Sequence, residues 1–181
     1  MRIYSLVVAC LCWSAIAAGQ TSATATTYAV EDAYQIYSLL LPHEESYSFA
    51  KSTLNIQEET VSNVALAGAC LTPEAWNKFK DAIADFHRVQ KKKWLLQRNF
   101  QIEKSYKLVS SDVIKALPDY PPSSAAIVVI SAVGFNHEKT RAIVYLGSSC
   151  GGLCGSWTFH LLEKVHHDWK EVPGYMCRVV S

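Results

Sequence analysis

Cys150, Cys154 and His160 follow one another as C-x3-C-x5-H, with His166 and His167 just beyond. Thiols and imidazoles at that spacing could ligate a metal, cycle as a redox pair or close a disulfide. A zinc ribbon needs a second close pair of ligands, and none accompanies these. A catalytic dithiol is usually C-x-x-C at a helix start, where the dipole lowers the thiol pKa. Here three residues separate the cysteines, and strand-like segments flank them. His160 and His166 sit at opposite ends of one expected strand, about 20 Å apart by strand rise, so they do not share a site. Gly147-Ser148-Ser149-Cys150-Gly151 matches G-x-S-x-G with Ser149 as nucleophile. That chemistry requires a strand-to-helix turn and a histidine late in the chain. Glycines and another strand follow instead, and no histidine lies beyond Asp168. Cys154-Gly155-Ser156-Trp157 matches part of the papain-type signature but lacks its nucleophilic cysteine. His43-Glu44 and His137-Glu138 begin like H-E-x-x-H, but Tyr47 and Arg141 stand where the second histidine belongs. No catalytic residue, metal ligand or cofactor site is therefore assigned. His160, Ser149 and Trp157 remain as the speculative site, and Trp76, Trp94, Trp157 and Trp169 as a sugar-stacking platform that core packing competes with.

The cysteines take their meaning from export. Residues 1–19 read as a secretory signal peptide: Arg2 is the positive n-region, Leu6–Trp13 the apolar stretch, and Ala15-Ile16-Ala17 or Ala17-Ala18-Gly19 the cleavage pattern. The apolar stretch falls short of the roughly 20 residues needed to span a bilayer. Val7-Val8-Ala9-Cys10 has the form of a lipoprotein box, with too few apolar residues before it. The expected localisation is secreted or periplasmic, with no transmembrane anchor in the mature chain. Cys10 and Cys12 leave with the signal, so four cysteines remain and read as two disulfides. Three pairings are possible, and Cys150–Cys154 with Cys70–Cys177 is the expected one. Gly151-Gly152-Leu153 lets the short loop bend back, and the alternation of Tyr175, Cys177 and Val179 turns Cys177 inward. In the chain-entropy picture the long bridge contributes roughly 4–5 kcal/mol and the short one about 2.

The 181 residues are half apolar and 18% charged, with a formal charge of +1. This is one globular domain's composition, neither a disordered tail nor a low-complexity chain. Removing the signal takes away Arg2 and no acid, leaving basic and acidic side chains in balance. That balance gives no electrostatic reason to expect nucleic acid as a partner. The basic run Arg88, Lys91, Lys92, Lys93 and Arg98 reads as the solvated C-terminal end of a helix.

Residues 20–27 form a small, polar leader, and 28–181 a single domain. Val30, Ala33, Tyr34, Tyr37, Leu40 and Leu41 repeat at helical spacing, with Thr27 as N-cap and Pro42 as stop. Thr53–Val61 alternates like a strand. Thr72-Pro73-Glu74 is a strong helix start, leading to a buried stripe of Trp76, Phe79, Ile83, Phe86 and Val89. Ser105–Val109 reads as a short strand, and Ser111-Asp112 caps a short helix through Leu117. Strands then follow at Ile127–Phe135, Arg141–Gly147, Trp157–Val165, Trp169–Val172 and Tyr175–Val180, with turns at Asn136–Lys139 and His166–Asp168. Short connections predict antiparallel neighbours. The expected fold is α+β: N-terminal helices packed on a curved antiparallel sheet formed mainly by a C-terminal β-meander.

Gly134-Phe135-Asn136, Lys139–Ala142, Val144-Tyr145, Cys150–Gly155 and Leu162-Glu163-Lys164 carry a resemblance. Over roughly residues 125–172 the chain is similar to a group of exported bacterial proteins that share a C-terminal meander with a Cys-Gly-Gly-Leu-Cys-Gly loop. A weaker echo lies in Ala33–Tyr37. The resemblance implies export and one compact fold, and it brings no activity or catalytic residue with it. The function expected is that of a disulfide-stabilised binding or structural accessory domain. The alternative is a small secreted enzyme or thiol-redox protein using Cys150/Cys154 or His160.

Overall fold

The computed structural model describes residues 26–44, 53–66, 71–116, 126–149, 155–173 and 177–180, with Ser149 and residues 177–180 described through the backbone. Strands dominate. They are β1 (Thr26–Thr27), β2 (Thr53–Gln57), β3 (Trp94–Leu95), β4 (Ser105–Val109), β5 (Ile127–Ile130), β6 (Gly134–Phe135), β7 (Arg141–Ser149), β8 (Gly155–Val165), β9 (Asp168–Glu171) and β10 (Cys177–Val180). The helical part is small: α1 (Glu31–Leu40), a 3-10 turn at Leu41–His43, α2 (Pro73–Val89) and α3 (Ser111–Lys115). The class is α+β, built on a large curled sheet in the order β10-β8-β7-β5-β2-β4, with β6 added beside β7 and β9 beside β8.

The sheet is mixed, which corrects the expectation of an antiparallel one. β5, β7, β8 and β10 form the predicted antiparallel meander, but β2 runs parallel to both β4 and β5. The reason is connection length. Between β2 and β4 the chain runs through α2, and a long crossover returns a strand in the same direction. The strand expected across Ile127–Phe135 is also divided. Its ladder breaks at Ser131, whose hydroxyl accepts from the Tyr145 amide at 2.9 Å and whose amide donates to the Tyr145 carbonyl at 2.9 Å.

Both faces of the sheet are covered. α2 packs on β6 and β7. It opens as its sequence predicts: Thr72 is the N-cap, and its hydroxyl accepts from the Ala75 amide at 3.2 Å. Ala75, Phe79, Ala82, Ile83 and Phe86 form its buried stripe against Ile143, Phe159 and Leu161. Trp76 does not belong to that stripe; it is 38% exposed. Alanines at 75 and 82 bring the helix close to the strands and leave the indole outside. At Gly134 a Cβ would run into the α2 backbone at Ala82 and Phe86, so only glycine allows this approach.

α1 lies in the second cluster, where Ala33, Tyr34, Ile36, Tyr37 and Leu40 meet Leu54, Ile56, Val128, Val144 and Leu162. Cover on both faces explains why Leu162 breaks the polar alternation of β8: Phe159 and Leu161 belong to the α2 cluster, and Leu162 to the α1 cluster. The cap of α1 differs from expectation. Val30 is the N-cap and makes no side-chain cap bond, while Thr27 lies in β1, pairing with Leu95. Glu31 and Asp32 still complement the positive end of the helix. Thr26 and Thr27, the last two residues of the expected leader, thus belong to a strand.

Candidate functional site

β8 carries His160 on the sheet face that α1 covers, and the surroundings of this imidazole decide what it can do. Its side chain is 8% exposed. Nδ1 lies 2.6 Å from Glu171 Oε1 on β9, and Nε2 lies 3.8 Å from Glu44 Oε1 just after the 3-10 turn. Glu44 is itself buried. Burial disfavours the charged ring, but the two carboxylates outweigh it and hold the His160 pKa above the ordinary imidazole value. The arrangement is a buried imidazole between two carboxylates, hydrogen-bonded at Nδ1 to Glu171 and without a hydrogen-bond partner at Nε2 among the described residues. It ties β8, β9 and the end of α1 together and offers no open position to a reactant.

A second polar tie lies nearby. Asp32 on α1 accepts from Lys164 Nζ at 2.7 Å and from Trp169 Nε1 at 3.2 Å, with Lys139 Nζ at 3.9 Å. Partial burial opposes the charged carboxylate, and these donors outweigh it, so the Asp32 pKa falls below the usual aspartate range. Deeper in, the Tyr37 hydroxyl donates to the Ser131 carbonyl at 2.8 Å, the Tyr28 hydroxyl accepts from the Val133 amide at 2.9 Å, and the Tyr34 hydroxyl donates to the Tyr28 carbonyl at 2.9 Å. Burial pushes the Tyr28 phenol up to about 12 and Tyr37 well above its ordinary value. These hydroxyls satisfy backbone groups, and the Tyr28 and Tyr37 phenols keep their protons near neutral pH.

The other residues singled out from sequence fall in separate places. Ser149 lies within β7, its backbone paired with Ile127 on one side and Gly155 on the other. Ser149 is the last residue of β7, and the next described element is strand β8 from Gly155, where a nucleophile elbow is followed by a helix. Trp157 is half-buried, and its ring occupies the space a Cβ would take at Gly147 and at Gly155. Gly147, the first glycine of the G-x-S-x-G match, thus makes room for an indole. Trp169 is buried and Trp76 is exposed on α2. Of the four, Trp94 lines one of the clefts described below. His166 and His167 form the β8–β9 turn, both with positive φ (49° and 76°), and are exposed. Cys70, Cys150 and Cys154 lie outside the described residues. Cys177 opens β10 opposite Phe159. No cluster of three His, Cys, Asp or Glu among the described residues is arranged to hold a metal ion. No helix among them is long and apolar enough to cross a membrane.

Two clefts flank the segment Tyr28–Val30, and motif reading found neither. The larger, about 600 Å³, lies between α1 and the loop 97–101. The buried rings of Tyr34 and Phe100 form its floor, and Gln35, Gln97, Asn99 and Gln101 line it with carboxamides. Glu31 and Arg98 bring opposite charges to its rim. Each carboxamide offers donors and an acceptor, and Asn99 Nδ2 already donates to Gln97 Oε1 at 3.0 Å. The smaller cleft, about 360 Å³, is walled by Tyr28, Trp94, Val133 and Phe135, with Asp85, Arg88 and Lys139 at its edge. Both volumes are within the roughly 300–1,000 Å³ of small-molecule sites. The run Gln97-Arg98-Asn99-Phe100-Gln101, polar around one buried aromatic, was the available sequence signal for the larger one.

In comparisons with protein-family models, curated proteins and solved structures, nothing matches this chain.

Proposed function

We propose that the chain is an exported, disulfide-braced binding domain whose main ligand face is the carboxamide-lined cleft between α1 and the loop 97–101. The observation carrying the binding reading is a separation. The one buried imidazole among the described residues, His160, is closed in by Glu44 and Glu171, while the open space is lined by amides, aromatic floor and a charge-balanced rim. Recognition needs that lining, whereas catalysis would need the imidazole at the opening. The ligand class that fits is small, neutral and rich in hydroxyl or amide groups.

The bridges are supported by strand register. β7 and β8 pair down to Ser149 opposite Gly155, and the same register carried one residue further would set Cys150 opposite Cys154, which lie outside the described residues. Directly opposed residues of antiparallel strands have Cα atoms about 4.5–5.5 Å apart, inside the usual disulfide range of about 4.4–6.8 Å. For the long bridge, Leu71, next to Cys70, is buried in the same cluster as Phe159, and Phe159 is the ladder partner of Cys177. The signal-like residues 1–19 point the same way.

Intact mass of the purified secreted protein, before and after reduction and alkylation, tests export and bridging together. The expected species has lost its N-terminus through Ala17 or Gly19 and accepts alkylating agent at its four cysteines only after reduction. Full-length protein with all thiols reactive in the native state would overturn the reading. Catalytic turnover of insulin disulfides by the oxidised protein would replace it with a thiol-redox role for Cys150 and Cys154.

A further inference from the structure

The smaller cleft differs from the larger one in kind, and its chemistry can be read separately. Three aromatic side chains, Tyr28, Trp94 and Phe135, wall it together with Val133. The indole is fixed in place: Trp94 Nε1 donates to the Val89 carbonyl at 2.9 Å, and its ring stands 5.6 Å from that of Tyr28 at 58°. Flat apolar walls of this kind select a flat apolar body.

The edge supplies the second half of the ligand. Arg88 and Lys139 line the cleft with side chains 70% and 57% exposed. Lys92 Nζ sits 3.8 Å over the Trp94 ring. The lining carboxylate, Asp85, is already engaged: Oδ2 accepts from the Phe135 amide at 3.0 Å, and Oδ1 accepts from Arg88 Nε at 2.9 Å and from Nη2. The guanidinium has five N–H donors, so it retains donors beyond those given to Asp85. Asp32, the carboxylate facing Lys139, binds Lys164 more closely, at 2.7 Å against 3.9 Å. The edge thus holds more positive than negative charge, and its acids are already in use.

We propose that this second cleft binds a small aromatic carboxylate, its ring between Tyr28, Trp94 and Phe135 and its anionic end toward Arg88 and Lys139. The volume of about 360 Å³ is near the lower limit for small-molecule sites, which favours one or two fused rings over a larger ligand. The inference shares with the binding reading the premise that clefts in this domain take ligands. Its test reads a different cleft, so either can fail alone.

The test is calorimetric titration of the oxidised full mature chain with 1-naphthoate and with its neutral analogue 1-naphthamide. Naphthoate is expected to bind at least about tenfold more tightly at low salt, with the preference shrinking as salt screens the exposed cations. The double variant R88Q/K139N should bind both probes alike. Asparagine is chosen because Lys139 has φ 51°, a conformation asparagine tolerates. Trp94→Leu should weaken both probes together, reporting the wall and not the charge; an unchanged melting temperature in each variant shows that the fold is kept. Equal affinity for the two probes, no binding of naphthoate, or a preference that survives R88Q/K139N would overturn the proposal.

Discussion

On the α2 face of the sheet, Phe79, Ile83 and Phe86 meet Ile143, Phe159 and Leu161 in an apolar cluster. On the α1 face, the same sheet takes in His160, Glu44 and the hydroxyls of Tyr28, Tyr34 and Tyr37; the larger cleft opens beside this helix, and the smaller one lies between the segment before it and the end of α2 at Asp85, Arg88 and Val89. Among the described residues, the buried carboxyl and imidazole groups, Glu44 and His160, both belong to the α1 side. Apolar burial stabilises without direction, whereas buried polar groups must each find a partner in one geometry. The contrast teaches that the α2 face supplies strength and the α1 face supplies definition, holding the cleft walls in register.

Breaking the α2 face should cost the most. Phe86→Ala leaves a cavity where α2 meets β6 and β7, and should lower unfolding free energy by about 4 kcal/mol. Urea unfolding at about pH 6 and about pH 9 should give the same loss, because no titrating group is removed. A loss that changed with pH would blur the division between the faces.

His160→Gln should cost somewhat less, about 3 kcal/mol at about pH 6, because it strands Glu44 and Glu171 without their shared cation. Its signature is the pH dependence. The folded pKa of His160 is raised, so its contribution is fully present below the ordinary imidazole value of about 6.5 and fades as pH rises through the raised value. Wild-type stability should therefore decline across that window, and the variant should lack the decline. Parallel curves for wild type and variant would mean the two carboxylates do not hold the ring charged.

The α2 face was the more legible in sequence, because local rules build it. Thr72-Pro73-Glu74 announces the helix, Phe79, Ile83 and Phe86 recur at its period, and the short turns at Asn136–Lys139 and His166-His167 fold the meander. Trp76 failed because side-chain periodicity leaves open which side of a stripe comes closest to the sheet. The α1 face was largely hidden. His160 meets Glu44 across 116 positions of sequence, the smaller cleft gathers Tyr28, Trp94 and Phe135 from three distant segments, and parallel pairing of β2 with β4 and β5 depends on which long connection closes on which strand. Spacing rules carry no information at those separations. Ser149 stood in a visible motif, yet it ends a paired strand, and Gly147 of the same motif admits the Trp157 ring.

The division between faces is tested most directly by amide chemical-shift mapping of the oxidised, isotope-labelled mature domain during titration with neutral mono- and disaccharides. The account predicts that at least one sugar perturbs amides in residues 29–35 and 97–101, where the larger cleft lies, and leaves α2 unmoved. Perturbations centred on α2 or on β8 around His160, or none with any sugar, would contradict it.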